Sequence, residues 1–159
     1  MENYPVYVGL MARSSLELLH PRLWTPGVDA SLDFAADLPK LLGDERAVKQ
    51  ILLNLLANAV KFTLKNGRIN VSGCINNDGR LEVSVSDTGI GMDQSELTAV
   101  LLPFGQGNSA INLSPERTRL GLSISKSLVE LLDGELTLES QLNQGTTVRI
   151  LFPETRQIN

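Results

Sequence analysis

The hydrophobic patterning of the chain predicts an α/β domain. Three observations carry that expectation: a long apolar helix over 44–63, two pairs of strands each joined by a turn rich in Gly and Asn, and a further helix between the pairs. With 159 residues the chain has room for one domain with a substantial core. The first stretch, 8–23, places Leu10, Leu16, Leu18, Leu19 and Leu23 at loosely helical spacing and ends near Pro21 and the Pro26-Gly27 turn. Over 28–34, Val28, Ala30, Leu32 and Phe34 alternate with Asp29, Ser31 and Asp33, the period of a half-buried strand.

The helix over 44–63 opens on Asp44, a residue suited to capping, and runs through Val48, Ile51, Leu52, Leu55, Leu56, Ala59 and Phe62. After the Asn66-Gly67 turn, 68–75 and 80–87 alternate as two strands, with Asn76, Asn77, Asp78 and Gly79 supplying a hairpin turn. A short helix is expected over 93–101, capped by Asp93. The stretch 103–119, rich in Gly, Asn and Ser and poor in periodic apolar residues, is expected to be a mobile loop. Helical period returns over 120–132 and stops at Asp133-Gly134; strands over 135–140 and 146–152 then flank Asn143-Gln144-Gly145. The tail after Pro153 is expected to fray.

Composition excludes several classes of function. A formal charge of −4 argues against broad, sequence-independent binding of nucleic acid. One cysteine, Cys74, rules out an internal disulfide framework, and one histidine, His20, leaves no Cys/His cluster at zinc-ligand spacing. No apolar run approaches the roughly 18 residues that span a bilayer, and the start MENYPVYVG lacks the pattern of a signal peptide. The expectation is a cytoplasmic chain without membrane contact of its own, within a parent protein that is free to be membrane-anchored.

Two constellations carry chemistry. On the long helix, Gln50, Asn54, Asn58 and Lys61 are separated by four, four and three residues, so they share one face. Asparagine is a poor interior helix residue, because its side chain competes for backbone hydrogen bonds. Such a stripe is either a solvated face or a ligand face, where Asn58 offers oxygen to a hard cation such as Mg²⁺ and Lys61 offers charge to a phosphate. The second constellation is Asp87-Thr88-Gly89-Ile90-Gly91 at the end of a strand. It fits a plain tight turn, and it also fits an acid that accepts a hydrogen bond from an exocyclic amine, beside glycines that let backbone approach a ligand.

Taken in order, QILLNLLANAVKFT at 50–63, DTGIGM at 87–92, LLPFGQGNS at 101–109 and LGLSISKSLVELLDGELTLES followed by QGTTVRILFP resemble the ATP-binding catalytic domain of sensor histidine kinases, members of the Bergerat-type superfamily. The resemblance runs over about 27–153. It implies a two-layer α/β sandwich with helices on one face of a mixed sheet, and ATP and Mg²⁺ as ligands. It further implies that Asn58 coordinates Mg²⁺, that Asn54 and Lys61 face the phosphates as catalytic residues, and that Asp87 binds the adenine amine. Gly89 and Gly91 would shape the pocket wall, Phe104 would sit at the hinge of a lid, and Leu120, Gly121 and Leu122 would open a helix whose amides approach the phosphates. The corresponding division is a helical lead-in from an upstream dimerisation region over 1–27, a catalytic domain over 28–153 and a flexible tail over 154–159.

Two departures from the family pattern shape the functional expectation. Where the family has Gly-x-Gly-Leu-Gly-Leu, this chain has Arg117-Thr118-Arg119-Leu120-Gly121-Leu122. Bulky side chains there obstruct the nucleotide or, as guanidinium groups, replace lost backbone contacts with charge. His20 lacks the Glu-x-x-Thr/Asn-Pro context of a phosphoacceptor, which places the acceptor on another domain. The expected activity is that of a histidine kinase catalytic domain, incomplete alone. It would present the γ-phosphate of Mg-ATP to a histidine-containing dimerisation domain that serves a response regulator. The alternatives are a degenerate nucleotide-binding or regulatory module, weakened by Arg117 and Arg119, and a water-using ATPase of the gyrase, MutL and chaperone type. The latter calls for a glutamate general base where Asn54 stands. An aspartic-protease reading of Asp87 would demand a symmetric dimer with paired carboxylates.

Overall fold

The computed structural model describes residues 3–19, 24–101 and 120–159. Its centre is the helix expected from the apolar run. This helix follows, in chain order, strand β1 (Tyr4–Val6), helix α1 (Val8–Leu18), strand β2 (Asp29–Phe34) and strand β3 (Lys40–Gly43), and is α2 (Glu45–Phe62). Asp44 caps it, its carboxylate accepting the Arg46 amide at 2.9 Å, while Glu45 and Lys61 place charges that complement the helix dipole. Ala47, Val48, Ile51, Leu52, Leu55, Leu56, Ala59 and Phe62 are all buried, a stripe too wide for a surface helix facing a single partner layer. Accordingly α2 packs between α1 and the last helix and also against the sheet below.

That sheet is mixed. After α2 come β4 (Arg68–Ile75), β5 (Leu81–Asp87), helix α3 (Gln94–Val100), helix α4 (Leu120–Leu131), β6 (Glu135–Gln141) and β7 (Gly145–Phe152). The five strands run in the order β2-β4-β5-β7-β6, with β2 parallel to β4 and every other pair antiparallel. On β4, β5 and β7, Ile69, Val71, Leu81, Val83, Val85, Val148, Ile150 and Phe152 point into one core with the helices. The alternate residues, among them Arg68, Asn70, Ser72, Ser84, Ser86 and Arg149, leave the other face polar. The architecture is the expected two-layer sandwich, helices on one side of a mixed sheet.

Turn chemistry fixes the connections. Asn66 and Asn143 adopt left-handed backbone with φ of 64°, a conformation asparagine tolerates. Helix α4 stops as expected at Asp133, whose φ is 62°, with the Gly134 amide donating back to the Val129 carbonyl at 2.9 Å. Helix α3 carries a full capping box between Asp93 and Glu96.

The chain ends differ from the expectation. The helical lead-in stops at Leu18, and residues 20–23 lie outside the described residues. Val6, Val8 and Ala12 are buried in the same core as α2, so this segment packs as part of the sandwich rather than as a separate linker. The tail expected to fray instead forms a turn of 3-10 helix at Glu154–Arg156 and a short strand β8 (Gln157–Ile158). Strand β3, not foreseen, is the reason: it pairs β1 on one side and β8 on the other, giving both chain ends a backbone partner. Arg156 reinforces the junction, donating to Asp133, to Asn3 Oδ1 at 2.9 Å and to the Leu42 carbonyl at 3.0 Å.

Candidate nucleotide site

Helix α2 and the segment after β5 meet at one end of the molecule. Phe62, in the last turn of α2, offers its carbonyl oxygen to the Ile90 amide at 3.1 Å. Gly89 lies so close that a Cβ there would sit 2.1 Å from the same oxygen. Asn58 is one turn earlier on the helix, and Asn54 one turn before that. The carboxamide stripe therefore leads directly to the loop that follows Asp87.

Asp87 ends the middle strand of the sheet, paired with Ile69 of β4 and Thr146 of β7. It is buried, 9% exposed, and its Oδ1 accepts the Gly89 amide at 2.9 Å. Burying a carboxylate is costly unless it is hydrogen-bonded, and that amide supplies one such bond. The loop around it is tied by three bonds to two neighbours: the Thr88 amide donates to the Arg68 carbonyl at 3.1 Å, Thr88 Oγ1 accepts the Arg68 amide at 2.9 Å, and the Asn143 amide donates to the Ile90 carbonyl at 2.7 Å. Gly91, with φ of 68°, and Gly145, with φ of 116°, occupy backbone conformations that suit glycine. A Cβ on Gly91 would meet the Gln141 carbonyl oxygen at 2.0 Å, so the glycines of this loop shape the wall by folding it tightly against the protein's own backbone.

On the facing side, α4 starts against α2. A Cβ on Gly121 would lie 3.1 Å from Asn54 Cβ and 3.2 Å from Asn54 Cγ, so the small residue lets the first turn of α4 close over the carboxamide face. Leu122 is 1% exposed and contributes its side chain to the core. Lys61 is exposed at the end of the stripe, its ammonium 5.3 Å from the Phe62 ring centroid. Gln50 Nε2 donates to Asn54 Oδ1 at 2.8 Å. Among the described residues, the buried Nδ2 atoms of both Asn54 and Asn58 have no hydrogen-bond partner. Two buried amide nitrogens one turn apart favour a ligand face over a solvated one, where water would reach them. Phe104, Arg117, Arg119 and His20 lie outside the described residues, as does the side chain of Leu120.

Sequence reasoning assigned nothing to the hydroxyl pair behind Asp87. Thr146, 3% exposed, and Ser140 lie 2.7 Å apart through their oxygens, and Ser140 Oγ also accepts the Met92 amide at 2.7 Å. This network joins the β6–β7 hairpin to the end of the Asp87 loop. The available signal was the Thr-Thr pair directly after Gly145.

Known proteins resemble this chain in sequence and in fold. The family described as histidine kinase-, DNA gyrase B-, and HSP90-like ATPase matches residues 43–156. The non-motile and phage-resistance protein of Caulobacter vibrioides is 38% identical over 146 residues, 90% of this chain and 17% of that protein. The cell-division control histidine kinase PdhS of Brucella canis is 38% identical over 150 residues, 89% of this chain. The chain spans only 14% of PdhS, so both relatives are far longer than it is. Among solved structures, full-length ShkA in complex with AMPPNP superposes with a TM-score of 0.79 at 29% identity, covering 96% of this chain and 31% of that one. The mycobacterial sensor histidine kinase MprB gives 0.76 at 25% identity, covering 94% and 97%. With its family match spanning most of the sandwich, the chain belongs to the histidine kinase-, DNA gyrase B- and HSP90-like ATPases, as an ATP-binding catalytic domain of the histidine-kinase type.

Proposed function

We propose that this domain holds Mg-ATP between the carboxamide face of α2, the Asp87 loop and the first turn of α4, and presents the γ-phosphate to a histidine on a separate dimerisation domain. The observation that carries this reading is the pair of buried amide nitrogens on Asn54 and Asn58, unpartnered among the described residues, beside a buried carboxylate that ends the central strand. Asp87 accepts a hydrogen bond from the adenine amine. Asn54 and Lys61 face the phosphates, and the opening amides of α4 at Leu120, Gly121 and Leu122 add positive potential there.

The residues present suit Mg²⁺. Among the described residues no group of three or more His, Cys, Asp or Glu gathers as a protein cage. Mg²⁺ commonly takes one or two protein oxygens and completes its shell with phosphates and water, and Asn58 offers one such oxygen. When bound it neutralises charge on the phosphates. The chain's own contribution is positioning and electrostatics. Asn54 stands where a water-activating ATPase of this superfamily places a glutamate, and a carboxamide takes up no proton at neutral pH. The phosphoryl group is therefore directed to an acceptor on another protein unit, from which a response regulator is served. The setting is the cytoplasm, where ATP is supplied.

Calorimetric titration with a non-hydrolysable ATP analogue tests the reading. Binding should tighten with millimolar Mg²⁺. In Asp87→Asn one oxygen can still accept the Gly89 amide, but a donor then meets the adenine amine. Losing a charge-assisted bond of roughly 1.5–3 kcal/mol, the variant should bind ten- to a hundredfold more weakly. Absence of nucleotide binding by the unmodified chain at millimolar concentration would defeat the proposal.

A further inference from the structure

We propose that Ser140 is a positioning residue for base recognition: its hydroxyl holds both ends of the 87–92 loop and so aims the Asp87 carboxylate, an inference that rests on Asp87 binding adenine. Ser140 lies near the end of β6, and its oxygen has three polar neighbours. It accepts the Met92 amide at 2.7 Å, donates to the Gly145 carbonyl at 3.0 Å and lies 2.7 Å from Thr146 Oγ1. Met92 closes the loop. Gly145 and Thr146 stand where the loop begins: Thr146 pairs with Asp87 across β7 and β5, and a Cβ on Gly145 would lie 1.9 Å from the Asp87 carbonyl oxygen. One hydroxyl therefore ties the entry and the exit of the loop to a single point.

The Met92 amide can only donate and the Gly145 carbonyl can only accept. A side chain that bonds both must carry a lone pair and a proton, as a hydroxyl does and a methyl does not. Met92 and Thr146 are buried, so in Ser140→Ala a buried amide and a buried hydroxyl both lose this partner. The strands cannot move to relieve them, because β7 is held by full ladders to β5 and β6. Relief comes through the loop. Its middle stays pinned, by the Asn143 amide on the Ile90 carbonyl and by the close approach of Gly91 to Gln141, so what loosens is the pair of ends. Asp87 is one of those ends, and its Oδ1 is oriented by the Gly89 amide of the same loop. Asn54 and Lys61 lie on another element, α2, so the loss falls on the base and spares the phosphates.

The experiment titrates the chain calorimetrically with ATP and with purine riboside triphosphate, which lacks the exocyclic amine, each with Mg²⁺. The unmodified chain should prefer ATP by about tenfold or more. Ser140→Ala should weaken ATP about five- to tenfold and purine riboside triphosphate no more than about twofold, so that the preference collapses. Ser140→Thr, which keeps the hydroxyl at a strand position, should hold the preference within about threefold of the unmodified chain. Beside Asp87→Asn, Ser140→Ala should change ATP binding about twofold or less, because no carboxylate is left to aim. Equal weakening of both nucleotides by Ser140→Ala, an undiminished effect beside Asp87→Asn, or a preference lost as fully in Ser140→Thr as in Ser140→Ala overturns the proposal. Amide hydrogen exchange gives a readout without nucleotide: in Ser140→Ala the Gly89 amide should lose about tenfold protection together with Met92, measured against the amides of α2. Loss at Met92 alone would make Ser140 a local brace and also overturns it. A chain with the coupled loss that binds both nucleotides alike would retain the positioning of Asp87 by Ser140 and reject adenine recognition by Asp87.

Discussion

Replacing Gly89 with alanine puts one methyl group where the fold leaves no space. The added carbon would lie 2.1 Å from the Phe62 carbonyl oxygen, 2.7 Å from its carbon and 2.9 Å from Asp87 Oδ1. Two of these atoms are backbone at the end of an 18-residue helix, which cannot swing aside as a side chain does. Relief must come from the loop, and loop movement strains two hydrogen bonds: the Ile90 amide to Phe62 at 3.1 Å and the Gly89 amide to Asp87 at 2.9 Å. Overpacking of this kind costs roughly 1–3 kcal/mol, and each bond lost adds about 1 kcal/mol, more for the one to a buried carboxylate. We therefore expect about 3 kcal/mol of destabilisation, which for a domain of this size lowers Tm by roughly 10 °C. Differential scanning calorimetry reads the shift, and nucleotide titration of the still-folded fraction should show weaker binding because Asp87 has lost its orienting amide. A variant that melts with the unmodified chain and binds ATP equally would refute the close approach of the loop to α2, and with it the joining of the two halves of the site.

Two further outcomes test packing away from the nucleotide. Ser15 on α1 is fully buried with its hydroxyl unpartnered among the described residues, so Ser15→Ala should leave stability unchanged or raise it by up to about 1 kcal/mol; a clear loss in a urea midpoint would reveal a hydrogen bond at that oxygen. Arg156 joins the C-terminal segment to Asp133, Asn3 and Leu42 with its side chain only 15% exposed, so Arg156→Gln should cost on the order of 2 kcal/mol. An unchanged midpoint in that variant would show that pairing with β3 alone holds the two chain ends.

Elements with strong periodicity were legible from the chain alone, and those created by pairing were not. The helix over Glu45–Phe62 repeats apolar residues through five turns and carries its own cap, so its signal is local. The hairpin of β4 and β5 is announced by Asn76-Asn77-Asp78-Gly79, where Asn76 Oδ1 accepts the amides of Asp78 and Arg80 at 3.0 Å, a turn encoded within five residues. Strands β1, β3 and β8 have two to four residues each and no period to read; they exist because three distant segments satisfy one another's backbone groups. The site divides in the same way. Asn54, Asn58 and Lys61 are a spacing along one helix, and Asp87 is the end of one strand, so each could be named from its own segment. Thr146 and Ser140 gain meaning only because β7 lies beside both β5 and β6. A polar residue's role depends on the partners it meets, and those are chosen in three dimensions by strand pairing that a linear pattern does not show.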